Sequence, residues 1–330
     1  MIEPLKILFM GTPEFGAIVL RALATSAYQV VGVVTQPDRP AGRKNLLTPP
    51  SVKLMALEFD LPLLQVARLR DPGVQAQLRQ FSQPADLFVV ASFGMILPPA
   101  VLQMPRLGCL NVHGSLLPAY RGASPVAQAI LDGVSESGVT IMLMERGLDT
   151  GPMLSRRAVP LAPDETQPRL MLKLAQVGAE LLLETLPDWA NGQIEPAPQD
   201  HTQATITGII SKDAGRIIWT RPAAYIERMT RAYDPWPGTF TTWNGQLLKF
   251  LWAEVWAEAA IKIVKPTDVV PAPGLALLGQ TSDNTPPRLV IATGSGWLAP
   301  HELQLAGKKV TNARDFVSGQ PAIIGAVLGQ

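Results

Sequence analysis

The sequence predicts a doubly wound α/β domain with a mostly parallel sheet, followed by a smaller β-barrel domain. Three observations carry this expectation. Residues 1–190 alternate short, nearly continuous apolar runs with helical patterns, as parallel strands covered by helices on both faces require. Residues 208–330 show short β-type runs separated by turn residues, the pattern of a small antiparallel barrel. A length of 330 residues also suits two domains of ordinary size.

Each element has its own signal. Lys6–Gly11 is an apolar run closed by glycine, and apolar residues at 15, 18, 19, 22 and 23 place a helix over 14–27. Val30–Val34 is a second buried-type strand. A helix over 51–59 has Ser51 in the N-cap position, and one over 71–81 has Asp71 as cap with Pro72 at the first helical position. Leu87–Ala91, Cys109–His113 and Val139–Met144 are further strands, with a helix over 124–131 between the last two. Right-handed crossovers then wind the sheet on both faces. The segment 35–50 is long for a strand–helix connection, typically ~2–6 residues, and reads as a loop. After a long helix from 167 to about 189, the polar, proline-rich stretch 191–207 reads as a linker. In the second domain a helix over 222–232 precedes strands at 240–243, 247–255, 275–278, 289–292 and around Trp297. Asn244-Gly245 marks a hairpin between the first two of these strands.

Composition limits the functional classes. With 47% hydrophobic and 17% charged residues, the chain is not a disordered one. A net charge of +1 does not announce a strongly basic nucleic-acid binder. No apolar run is long enough for a membrane span or a secretory signal. The single cysteine, Cys109, has no internal partner, which points to a reducing, cytoplasmic setting. His113, His201 and His301 have no metal-binding spacing, so no metal is expected.

The chemistry concentrates in two stretches. Asn111 and His113 stand two apart on an apolar strand and so share a face. They end that strand at the edge where open α/β sheets hold ligands. The same pair also suits a structural role, capping the strand end. Asp149, in Arg146-Gly147-Leu148-Asp149-Thr150-Gly151, follows the next strand and so also belongs to a loop at that edge; alone it could be an ordinary turn aspartate. Together, an amide donor, a titratable donor and a carboxylate suit acyl transfer, in which a tetrahedral intermediate places charge on oxygen. No G-x-S-x-G elbow is present, and Cys109 lies mid-strand, so direct attack by a substrate amine is favoured.

The motifs Asn-x-His-x-Ser-Leu-Leu-Pro-x-x-Arg-Gly at 111–122 and Leu-Asp-Thr-Gly at 148–151 resemble those of the folate-dependent formyltransferases. Gly11-Thr12-Pro13-Glu14-Phe15, Thr35-Gln36-Pro37-Asp38-Arg39 and Ala232-Tyr233-Asp234-Pro235-Trp236-Pro237 extend the resemblance over essentially the whole chain. They narrow it to members that act on tRNA. It implies a Rossmann-like formyltransferase domain with an OB-like barrel after it, and a monomer. The implied donor is 10-formyltetrahydrofolate, and the implied acceptor is the α-amine of methionine on initiator methionyl-tRNA. It further implies catalysis by Asn111, His113 and Asp149, folate contact at Ser115, Leu116, Leu117 and Pro118, and tRNA contact at Arg39, Arg43, Lys44, Lys308 and Lys309. Lys44-Asn45-Leu46 departs from the family's Gly-Lys-Lys. Ser92-Phe93, Thr205–Ile209, Ile218 and Asp234 are further departures, and all of them leave the trio intact.

Other readings fit less well. A purine-pathway formyltransferase would lack the second domain, and the sugar-nucleotide type usually carries a further dehydrogenase-like one. A dinucleotide-dependent oxidoreductase would need G-x-G-x-x-G where this chain has Gly11-Thr12-Pro13-Glu14-Phe15-Gly16. A non-catalytic RNA binder would leave the trio unexplained. The charge is unevenly spread: residues 207–330 hold 12 basic and 9 acidic side chains, against 16 and 18 in the remainder. A near-neutral total therefore still allows an RNA partner held by a few placed cations.

Overall fold

In the computed structural model, which describes residues 4–42, 45–265, 270–282 and 284–330, the chain opens with β1 (Lys6–Gly11), α1 (Glu14–Ala24) and β2 (Gln29–Thr35). The short strands β3 (Arg39–Ala41) and β4 (Leu46–Thr48) precede α2 (Ser51–Glu58), β5 (Leu63–Gln65), α3 (Pro72–Phe81), β6 (Leu87–Ala91) and α4 (Pro99–Leu102). Then come β7 (Cys109–His113), β8 (Arg121–Gly122), α5 (Pro125–Asp132), β9 (Glu136–Leu143), β10 (Met153–Pro160), α6 (Gln167–Ala190) and β11 (Ile206–Thr207). The remainder is α7 (Ala223–Ala232), β12 (Thr239–Trp243), β13 (Gln246–Trp256), β14 (Lys262–Lys265), β15 (Ala276–Gln280), β16 (Arg288–Ala292), β17 (Trp297–Leu305), β18 (Thr311–Asn312) and α8 (Ala313–Gly319). Two compact units result. The first holds 1–126, 135–161 and 169–208; the second holds 127–134, 162–168 and 209–330.

The first unit is built on a seven-stranded sheet in the order β10-β9-β7-β6-β1-β2-β5. Its five strands from β7 to β5 are parallel. Every residue of β6 and β7 is buried; β6 therefore reads as an unbroken apolar run, while β7 carries Asn111 and His113 into the same buried setting. Leu8, Met10, Val34, Phe88, Val90 and Cys109 form one core cluster. α3 starts as its sequence demands: the Asp71 carboxylate accepts from the backbone N–H groups of Gly73 and Val74. At α2 the expectation needs correcting. Ser51 is the first helical residue rather than the cap, and Pro50 precedes it with no side-chain bond.

Three further features depart from the sequence reading. β9 runs antiparallel to β7, and β10 antiparallel to β9. The 35–50 segment holds a hairpin, with Arg39 opposite Thr48 and Ala41 opposite Leu46. Asn45 (φ 52°) takes up a left-handed conformation there, which Asn tolerates better than most side chains. The hairpin's root is fixed by Lys53, whose Nζ donates to both Asp38 carboxylate oxygens at 2.8 Å and to Gln65 Oε1 at 3.1 Å. Finally, the 191–207 stretch is tied to the first unit. Met153 and Ala197 exchange backbone hydrogen bonds of 2.8 and 2.9 Å, and β11 pairs in parallel with β8. Extended, proline-rich backbone still carries donors and acceptors that pair when another strand offers itself, and composition does not reveal the partner.

The second unit is an antiparallel sheet in the order β12-β13-β17-β16-β15-β14, with β18 on β17. Asn244 (φ 49°) and Gly245 (φ 72°) are both left-handed and turn β12 into β13, as a two-residue hairpin requires. Trp219, Ile226, Trp243, Phe250, Leu298 and Phe316 belong to its core. Trp219 meets Phe250 edge-on at 5.7 Å between ring centroids. Trp252, by contrast, is exposed. No helix among the described residues is long and apolar enough to cross a membrane.

Candidate active site

β7 presents Asn111 and His113 on one face, and both side chains are buried. His113 Nε2 lies 3.0 Å from the Tyr120 carbonyl oxygen. A carbonyl only accepts, so Nε2 carries a proton and donates. That leaves Nδ1 facing Asp149, 3.8 Å from Oδ2. Asn111 Nδ2 donates to Asp149 Oδ1 at 3.4 Å, and the Gly122 N–H donates to Asp149 Oδ2 at 2.8 Å. The trio expected from sequence is thus one cluster of an amide, an imidazole and a carboxylate.

Asp149 arrives by a route the strand pattern did not foresee. In a parallel sheet the loop after β9 would leave from the edge where β7 ends. Because β9 is antiparallel, its last residue, Leu143, lies beside Leu110, and Thr140 is the residue opposite His113. The connection from β9 to β10 therefore has to fold back toward His113. Gly151 makes the return possible, since a Cβ there would sit 1.9 Å from the Leu143 carbonyl oxygen. Asp149 itself is left-handed (φ 51°), a conformation that costs ~1–3 kcal/mol and persists only where surrounding contacts enforce it.

The 115–118 segment forms a rigid turn directly after His113. Ser115 Oγ donates to the Ala119 carbonyl at 2.6 Å. Thr140 Oγ1 donates to the Ser115 carbonyl and accepts from the Leu117 N–H. Ser115 and Leu117 are fully buried, while Leu116 and Pro118 keep partial exposure. The hydroxyl of Ser115 is therefore used inside the turn. A second loop at this sheet edge is pinned by Thr12 Oγ1 and Gln36 Nε2, which both donate to the Phe93 carbonyl at 2.9 Å.

Two residues of the cluster's surroundings carried no assigned role in the sequence reading, Arg121 within the 111–122 motif and Gln199 outside any motif. Arg121 and Gln199 are buried and hydrogen-bonded to each other, and Gln199 also bonds the backbone of the Asp149 loop. Gln199 lies in the polar stretch read as a linker, and no local pattern marks a lone glutamine whose partners are 48, 50 and 78 positions away.

The expected tRNA contacts fall on both units. Arg39 is exposed on β3, and Arg43 and Lys44 lie outside the described residues. Lys308 and Lys309 are exposed in the turn from β17 to β18, where Gly307 is left-handed (φ 73°). Burial pushes the Cys109 thiol up to about 12, so it is no nucleophile at neutral pH. Among the described residues no group of three or more His, Cys, Asp or Glu is placed to hold a metal ion.

Comparison with known proteins extends over both units. The formyl transferase model matches residues 5–186, and the formyl transferase C-terminal domain model matches 209–321. A methionyl-tRNA formyltransferase of Chloroflexus aggregans is 47% identical over 315 residues, covering 96% of this chain and 97% of that one. One from Pseudomonas fluorescens is 45% identical over 332 residues, covering 100% and 98%. Among solved structures, an N-formyltransferase from Helicobacter canadensis in complex with folinic acid and dTDP-3-aminofucose has a TM-score of 0.61 at 16% identity, covering 90% of this chain and 99% of that one. HypX from Aquifex aeolicus in complex with tetrahydrofolic acid has a TM-score of 0.56 at 16% identity, covering 94% and 46%. These two show the likeness of fold.

Proposed function

The chain belongs to the formyl transferase family, and we propose from that premise how its residues carry the reaction of its methionyl-tRNA formyltransferase relatives. It transfers a formyl group to the α-amine of methionine on initiator methionyl-tRNA. The donor is 10-formyltetrahydrofolate. The reactants meet at Asn111, His113 and Asp149. The observation that carries this assignment is the convergence of the Asn111 amide, by a hydrogen bond, and the His113 imidazole, at 3.8 Å, on the Asp149 carboxylate at the end of a buried strand.

The chemistry follows from the donors and acceptors present. The amine nitrogen attacks the formyl carbon as a neutral amine, and the carbonyl electron pair moves onto oxygen. Asn111 has a second amide N–H besides the one directed at Asp149, and it donates to that oxygen. His113 already donates from Nε2 to Tyr120, so the proton it offers the oxygen sits on Nδ1, and the acting form is the imidazolium. The carboxylate of Asp149 beside Nδ1 compensates its charge. Asp149 takes the proton released by the attacking amine. Collapse of the intermediate re-forms the carbonyl and breaks the bond to N10 of the folate, which leaves with the proton that Asp149 took from the amine, so the carboxylate is regenerated.

The folate lies along Ser115–Pro118, with Leu116 and Pro118 offering side-chain surface. Residues 1–190 carry the chemistry, and residues 208–330 contribute tRNA contact through Lys308 and Lys309, joined by Arg39, Arg43 and Lys44 of the first unit. The protein acts as a cytoplasmic monomer. The test is single-turnover formyl transfer with Asn111→Ala and His113→Ala. Loss of one oxyanion donor is expected to slow transfer by roughly 10²–10³-fold. A rate within about threefold of the parent would refute the assignment.

A further inference from the structure

We infer that Gln199 is a positioning residue for catalysis, acting through Asp149; the inference rests on the role proposed above for that carboxylate. Its side-chain Nε2 donates to the Asp149 carbonyl at 2.8 Å and to the Gly151 carbonyl at 2.7 Å. Its Oε1 accepts from Arg121 Nε at 3.0 Å and from Arg121 Nη2 at 2.6 Å. These partners leave no ambiguity in how the amide is oriented. A guanidinium only donates, so it faces the amide oxygen; two carbonyls only accept, so they face the NH₂. Gln199 and Arg121 are each 6% exposed, so the bonds form away from competing water.

The arrangement answers a specific need. Asp149 is held left-handed in a loop that doubles back from β9, and such a backbone relaxes unless its surroundings enforce it. The amide of Gln199 fastens the carbonyls on both sides of Thr150 and thereby sets where the Asp149 carboxylate stands. Arg121 is covalently next to Gly122, whose N–H donates to Asp149 Oδ2 at 2.8 Å. One glutamine thus couples the backbone of the Asp149 loop to the strand that binds the Asp149 carboxylate. A misplacement of about 1 Å in such a group can cost ~10²-fold in rate, although Gln199 makes none of the trio's side-chain contacts.

Gln199→Glu and Gln199→Met separate this role from simple packing. The glutamate variant keeps an acceptor for Arg121 but turns its other oxygen toward two carbonyl oxygens, releasing the loop. The methionine variant fills the space and bonds neither side. Both are expected to slow single-turnover formyl transfer by about tenfold or more, with KM for folate and for tRNA within about twofold of the parent. The decisive comparison introduces each change into Asp149→Asn. If Gln199 acts through Asp149, the added change costs less than about twofold there, because coupled residues are not additive. Full additivity in that background, or single variants within about twofold of the parent, would overturn the inference. Should Asp149→Asn alone leave the rate unchanged, the role of Asp149 is what fails. Thermal melts identify any variant that has lost the fold, and the glutamate variant, which retains the Arg121 contact, then carries the comparison.

Discussion

Asn111 and His113 were legible because their spacing on an apolar strand is itself a geometric statement, and the structure sets both on one buried face. Asp149 was legible as a candidate but not by the right path. A parallel β9 would bring Asp149 to that edge directly; with β9 antiparallel, the fold-back at Gly151 explains the contact. Gln199 was invisible because its meaning lies wholly in distant partners. Cys109 yields a prediction at this scale. With its thiol pushed by burial to about 12, almost none is thiolate at pH 8. A disulfide reagent such as dithionitrobenzoate is expected to titrate no thiol in the folded protein and one after unfolding in guanidinium. Stoichiometric labelling of the native protein within minutes would show that the β7 core opens readily.

At the level of elements, the parallel strands β1, β2, β6 and β7 and the Asn244-Gly245 hairpin could be read directly, because burial and left-handed turns each impose a residue pattern; the short, partly buried parallel strand β5 could not. β10 and the β3–β4 hairpin could not, since they are partly exposed and gain their order from pairing. The hairpin's root makes a testable claim. Lys53→Met removes the hydrogen bonds to Asp38 and Gln65 and is expected to raise KM for tRNA several-fold while leaving kcat within about twofold. Steady-state kinetics with varied tRNA reads both. Hydrogen bonds from Lys53 and then Gln65 hold the Asp38 carboxyl below its usual range. The anchor's contribution is therefore complete above the ordinary carboxylate pKa and is lost as pH falls through the lowered one. Gly122 offers a sterner case. It is left-handed (φ 103°), and a Cβ would stand 2.3 Å from the Thr207 carbonyl oxygen. Gly122→Ala is expected to lower Tm and slow formyl transfer together, because the same residue donates to Asp149; a variant with parental Tm and rate would contradict the close approach of Gly122 to β11.

For the molecule as a whole, sequence periodicity distinguished two regions, while the structure assigned the 191–207 stretch to the first unit by backbone pairing that composition does not encode. The mild basic excess of residues 207–330 sets the expected mode of tRNA binding. A few placed cations give a shallow salt slope, and Lys308→Ala with Lys309→Ala should weaken tRNA binding and reduce that slope by about two counterions. An unchanged slope between 50 and 200 mM salt, read by filter binding, would remove these lysines from the interface. The central claim is the reaction itself. Purified protein given 10-formyltetrahydrofolate is expected to formylate methionyl initiator tRNA rapidly and to leave glycinamide ribonucleotide unformylated; formylation of the ribonucleotide alone would contradict the account.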